Sequence, residues 1–160
     1  MNKIRMIALA ACMAATLDAA AQEQEIRLFS HRGGRMEHDE NTLSAFQASY
    51  DAGYRGFETD IRMTRDGALV ITHDSSLERT TNGTGTVEEK TEAEIRQLAT
   101  KQGNKMMFLD ELLEFLKGKE GLYVEFEMKT KPEVLYPEER LHAYCDKLYD
   151  AVMAVKPADA

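Results

Sequence analysis

Apolar residues in this chain fall into two kinds of short run. Some alternate with polar residues at every second position, the period of a strand. Others recur at intervals of three and four, the period of a helix. Ile26–His31 (IRLFSH) is an apolar run that stops on Arg32-Gly33-Gly34, which predicts a strand and its exit. Glu40–Ala52 predicts a helix: Asn41 can cap it, Leu43, Phe46 and Tyr50 recur at helical spacing, and Gly53 ends it. Gly56–Met63 predicts a second strand, with Phe57, Ile61 and Met63 on one face and Glu58, Asp60 and Arg62 on the other. Leu69–His73 predicts a third, after a turn at Asp66-Gly67. That turn admits a tight hairpin or a looser return that makes the third strand a parallel neighbour. Both bring His73 to the Glu58/Asp60 end.

Ser75–Glu89 is polar, holds Asn82-Gly83 and Gly85, and reads as a loop. Thr91-Glu92-Ala93-Glu94 is a capping box that opens a short helix through Leu98. Asp110–Lys117 predicts a helix with Leu112, Leu113 and Leu116 inward. Leu122–Lys129 (LYVEFEMK) predicts a fourth strand. Pro137–Val155 predicts an amphipathic helix with Leu141, Cys145, Leu148, Val152 and Val155 on its apolar face. Strands alternating with helices predict an α/β fold, a parallel sheet or barrel. Sites in such folds lie at the C-terminal ends of the strands, where the polar residues collect here.

Composition changes the picture at the front end. Lys3 and Arg5 precede the apolar stretch Met6–Leu17, which is too short for a stable membrane span, and Ala19-Ala20-Ala21 offers a cleavage site. Residues 1–21 therefore read as a secretory signal, which implies a secreted or periplasmic protein. Leu9-Ala10-Ala11-Cys12 also fits a lipoprotein signal, with a shorter apolar stretch. Residues 22–160 keep 18 basic and 27 acidic side chains, a net charge of −9. An acidic surface argues against nucleic acid as a partner but not against a small anionic ligand. Cys145 is then the one remaining cysteine, so no internal disulfide is expected.

The candidate chemistry begins with buried-looking acids. Glu58 and Asp60 share one face of the second strand; Glu125, Glu127 and Lys129 share one face of the fourth. Like charges brought together repel, and a divalent cation with hard-oxygen ligands, Mg²⁺ or Ca²⁺, removes that penalty. A solvated edge face with scattered salt bridges would give the same pattern. His31 and His73 end the first and third strands and form a candidate acid–base pair. Arg32 follows His31, and its planar fork suits a phosphate oxygen pair. His38 and His142 read as surface residues and Cys145 as core.

Several motifs occur in order: His31-Arg32-Gly33, Glu40-Asn41-Thr42 with Ala45-Phe46, Gly56-x-Glu58-x-Asp60, Thr64-x-Asp66-Gly67, Val70-x-x-His73-Asp74, Arg79-Thr80-Thr81 with Gly83-x-Gly85, and Glu127-x-Lys129. Together they resemble the glycerophosphodiester phosphodiesterase family over about residues 26–129. The resemblance implies a TIM-type (β/α) barrel and a small-molecule glycerophosphodiester as substrate, hydrolysed to glycerol phosphate and an alcohol. It implies Glu58, Asp60 and Glu127 as ligands of one divalent metal, His31 and His73 as acid and base, and Arg32 and Lys129 on the phosphate. It places a small insertion at about residues 75–103. Glu125 falls outside the implied ligands and is expected to support them from behind. Asp39 stands where the family often has proline. A TIM barrel typically takes about 250 residues and eight strands. Only four strands are predicted here, so the expectation is a barrel truncated to about its first four strands. The rival expectations are a non-catalytic metal- or phosphate-binding remnant and a related barrel phospholipase. The oligomeric state is left open.

Overall fold

Strand β2 (Gly56–Met63) is the hub on which the other strands assemble. A computed structural model describes residues 27–155. The expected signal segment, Ile26 and the chain after Val155 lie outside the described residues. In chain order the regular elements are β1 (Phe29–His31), α1 (Leu43–Asp51), β2, β3 (Leu69–Ile71), α2 (Glu92–Ile95), α3 (Leu109–Leu116), β4 (Tyr123–Met128) and α4 (Glu138–Val155). β4 runs parallel along one edge of β2, from Gly56↔Tyr123 to Ile61↔Met128. The opposite edge is shared: β1 pairs in parallel with Gly56–Glu58, and β3 pairs antiparallel with Ile61–Met63.

The sheet is therefore mixed, and the turn after β2 is the tight hairpin. Gly67 takes φ +86°, the Thr64 N–H donates to the Ala68 carbonyl at 2.8 Å, and Thr64 Oγ1 bonds Asp66 at 2.7 Å. These bonds close the chain too sharply for a crossover.

The alternation along β2 sorts its residues into two environments. Phe57, Ile61 and Met63 are buried against α1, α3 and α4, with Phe46, Leu112 and Tyr144 around them. The Phe46 and Phe57 rings meet edge to face, their centroids 5.7 Å apart. The other face carries Glu58, Asp60 and Arg62 and is left for polar chemistry. Val124, Phe126 and Met128 of β4 pack onto the same core from the edge. The segment 75–103 packs against β3 through a smaller core of Val70, Leu77, Val87, Ile95, Met106 and Phe108. Its short helix α2 opens with the Thr91–Glu94 capping box.

Two expectations need correction. Thr42, not Asn41, caps α1, its Oγ1 accepting from the Ala45 N–H at 3.3 Å. Cys145 is exposed rather than core. The buried stripe of α4 passes through Tyr144 and Leu148, with the Tyr144 hydroxyl donating to the Ile61 carbonyl. Tyrosine's polar tip hides it from a purely apolar pattern, and moving the stripe by one residue turns Cys145 about 100° away from the core.

Phe57→Ala is expected to cost about 3–5 kcal/mol of stability, because the ring is wholly buried and its removal leaves a cavity. Urea denaturation measures this; a loss under about 1 kcal/mol would mean that Phe57 is not at the centre of the core.

Candidate active site

Register brings the polar side chains together. His31, the last residue of β1, is the Cα partner of Glu58; on the other edge Glu58 faces Glu125 and Asp60 faces Glu127. Glu58, Asp60 and Glu127 each offer an oxygen, and these oxygens all lie within 4.8 Å of one another. The three are compensated unequally. Asp60 is fully buried, with Arg32 Nε at 3.2 Å, Lys129 Nζ at 3.1 Å, and Asn41 Nδ2 donating at 2.9 Å. Glu127 is half-exposed and pairs with Lys129 at 2.5 Å.

Glu58 has the least. Its Oε2 accepts from the Arg32 backbone N–H at 3.1 Å and lies 3.6 Å from His31 Nε2. Its Oε1 is buried with no hydrogen-bond partner. Burial first, and then the charge of Asp60, push the Glu58 carboxyl up to about 7. A buried oxygen without a donor, beside two further carboxylates, fits a divalent cation with hard-oxygen ligands. Glu125 stands next to Glu58 in the register, but it is exposed and outside the triad.

The cations are held closely. Arg32 is buried, its guanidinium set between Asp60 and Glu40, with Nη1 3.1 Å from Glu40 Oε1. Burial opposes the charge on Lys129, but its contacts with Glu127 and Asp60 outweigh that and raise its pKa. Arg32 and Asn41 both take left-handed backbone angles, φ +53° and +58°. For non-glycine residues this is a strained conformation, and such strain concentrates at functional sites. Here it lets the Asn41 N–H donate to the Arg32 carbonyl at 2.9 Å while Asn41 Nδ2 reaches Asp60 and its Oδ1 accepts from Thr59.

His73 lies two residues beyond β3, where the Thr72 N–H still bonds the Asp60 carbonyl at 2.9 Å. Its Nδ1 is 2.6 Å from Asp74 Oδ1. Arg79 grips the other Asp74 oxygen through Nε, and it reaches Glu40 at 2.7 and 3.0 Å. Burial disfavours the charge on Asp74, but the hydrogen bonds from Arg79 and His73 prevail and hold its carboxyl at about 2. An ionised Asp74 fixes the proton on Nδ1 and leaves Nε2 to exchange protons. His31 is more open. Burial, then Arg32 and Arg35, lower its pKa, so the neutral imidazole is favoured. A continuous charged chain thus runs His73–Asp74–Arg79–Glu40–Arg32–Asp60. Glu40, Asp74 and Arg79 all stand in the motifs quoted above, but nothing in the sequence pairs them, and their role as links follows from the fold. A groove of about 600 Å³ at the opposite end of the strands, beside Gly56 and Tyr123, contains none of these groups.

Residues 31–157 match the model of the glycerophosphoryl diester phosphodiesterase family. A glycerophosphodiester phosphodiesterase of Caldanaerobacter subterraneus subsp. tengcongensis is 37% identical over 123 residues, 71% of this chain and 50% of that protein. A Silicibacter pomeroyi DSS-3 crystal structure bearing the glycerophosphoryl diester phosphodiesterase name superimposes with a TM-score of 0.74 at 26% identity, over 84% of this chain and 55% of that one. An Oleispira antarctica phosphodiesterase, solved with the product sn-glycerol-3-phosphate, gives a TM-score of 0.71 at 27% identity, over 84% and 54%. The matched fold is the TIM-type barrel, and the chain spans about half the length of the relatives it matches.

The raised Glu58 carboxyl has a consequence for stability. Glu58 titrates near 4.5 when unfolded and near 7 when folded without an ion, so the fold prefers its protonated form. The Glu58 contribution to the stability of the ion-free protein should fall as pH rises from 4.5 to about 7 and then level off, while the lowered His31 contributes a rise up to about 6.5. Thermal melts in EDTA across this range check it through the difference between the two proteins: Glu58→Gln should gain stability relative to wild type as pH rises from 4.5 to about 7, and equal slopes in both proteins would contradict it.

Proposed function

The chain belongs to the glycerophosphoryl diester phosphodiesterase family, and on that premise we propose that it hydrolyses glycerophosphodiesters to glycerol phosphate and an alcohol. The observation that carries this reading is the meeting of three carboxylates around an under-compensated Glu58, with His31 beside them and His73 tied to the same network. Glu58, Asp60 and Glu127 would hold one divalent cation, Ca²⁺ or Mg²⁺. When bound it would supply positive charge to offset the developing negative charge on the phosphodiester.

The rest is the work of side chains. Arg32 and Lys129 both border Asp60 and would receive the phosphate's oxygens, Arg32 by its fork and Lys129 as a point charge. The burial of Arg32 between Glu40 and Asp60 fixes its orientation before substrate arrives. One histidine takes the proton from the attacking hydroxyl, that of water or of the substrate's own glycerol, as the new P–O bond forms; on the second route a water molecule then opens the cyclic phosphate. The other gives a proton to the departing alcohol oxygen as the old bond breaks. Asp74 holds the His73 ring in one tautomer. Lys3, Arg5, the apolar stretch after them and Ala19-Ala20-Ala21 support export with cleavage after Ala21, so that the reaction would take place outside the cytoplasm. Among the described residues no helix is long and apolar enough to cross a membrane.

Glycerophosphocholine should be hydrolysed in the presence of Ca²⁺ or Mg²⁺, with activity lost in EDTA. His31→Ala and His73→Ala should each lower kcat about a hundredfold or more while the melting temperature stays close to wild type. Turnover that persists in EDTA, or in either histidine variant, would overturn the assignment.

A further inference from the structure

Arg62 is the third polar residue on the site face of β2, after Glu58 and Asp60, yet it lies outside the carboxylate triad and the charged chain described above. It is buried, and every bond it makes reaches a segment distant in sequence. Nε donates to the His73 carbonyl at 2.9 Å, and Nη1 donates to the Lys131 carbonyl at 2.9 Å and to Glu88 Oε1 at 2.7 Å. Glu88 is buried in turn. Its Oε1 also accepts from the Tyr136 hydroxyl at 2.7 Å, and its Oε2 accepts from Ser75 Oγ at 2.6 Å. Burial works against the charge on Glu88, but these hydrogen bonds prevail and lower its pKa.

We propose that the buried Arg62–Glu88 pair is a positioning device that locks the loop carrying His73 and the loop following Lys129 to a common point on β2. This rests on the roles proposed above for His73 and Lys129. A buried ion pair is a poor way to gain stability, since well-packed apolar residues of the same volume often do as well or better. What a guanidinium offers is a planar fork that holds several acceptors at fixed angles. Here one fork reads a carbonyl from each of two loops, one bearing a proton-transfer group and one leading directly out of the phosphate-binding cation at the end of β4. Glu88, on the 3₁₀ turn Val87–Glu89 of the segment 75–103, fixes that fork and ties the segment to both loops. The segment is then part of the site's frame rather than a cover over it.

Arg62→Lys separates the fork from the charge. Lysine keeps a cation for Glu88, but it cannot reach the His73 and Lys131 carbonyls together. In the 160-residue chain, backbone amide NMR signals of residues 72–75 and 129–131 should broaden or double, while those of β2 and β4 stay single. Turnover of glycerophosphocholine should fall roughly tenfold to a hundredfold in kcat, with KM changed less than about twofold. If Arg62→Lys does not fold, Glu88→Gln loosens the fork without removing it and is read on the same signals. The proposal is overturned if those two loops stay as sharp as in wild type in the variant that folds, or if KM rises while kcat holds. Were the wild type to show no turnover, the hydrolase reading would fail, and the NMR signals alone would decide the positioning role.

Discussion

Negative charge is concentrated at one end of β2 beyond what the neighbouring side chains can neutralise, and the surrounding structure is arranged around that fact. Glu58, Asp60 and Glu127 face two cations, Arg32 and Lys129, and Arg32 is also engaged by Glu40. Asp60 has both cations beside it, yet its Oδ1 and Glu58 Oε1 are each buried without a hydrogen bond, and Glu58 Oε1 has no cation against it either. Burying charge without a partner costs several kcal/mol. Protonation of Glu58 relieves that cost in the ion-free protein, and a bound cation, as proposed above, would relieve it in the loaded one. The parallel pairing of β2 with β4 is what creates the excess, because it sets Asp60 beside Glu127.

The opposite face of the same strand makes that concentration sustainable. Phe57 and Ile61 are wholly buried beneath α1, α3 and α4, so β2 cannot slide by one residue without exposing both and burying its acids in the core. Packing therefore fixes the site through register. The strained backbones of Arg32 and Asn41 are sustained in the same way, since they are bonded to each other, Asn41 donates to Asp60, and Arg32 is ion-paired with it. Two further devices extend the frame: the charged chain from Asp60 to the His73 ring, and the Arg62–Glu88 pair, which holds the His73 carbonyl.

Much of this was legible in the residues. The period-two alternation of β2 gave its bounds and its two faces, because a strand with one apolar and one acidic side has a single sensible orientation. The capping box at Thr91 was legible because its chemistry is local. What was not legible depends on contacts between distant residues. Asp66-Gly67 signals a turn, but only the Thr64 and Ala68 bonds decide that it is a hairpin. Asn41 and Thr42 are both good caps, and the pull of Asp60 on Asn41 decides between them. The side chains of Arg79 and Glu40 meet across 39 positions, and those of Arg62 and Glu88 across 26, so no local pattern points to either pair. Tyr144 escapes an apolar pattern because its ring is apolar and its hydroxyl is not.

The convergence of carboxylates on a shared cation is open to titration calorimetry. Ca²⁺ or Mg²⁺ added to the chain should bind at one saturable site, with protons released near pH 6 as Glu58 gives up its proton, and Asp60→Asn should abolish the binding. No saturable binding at millimolar ion, or unchanged binding in Asp60→Asn, would show that the acids do not form a metal centre.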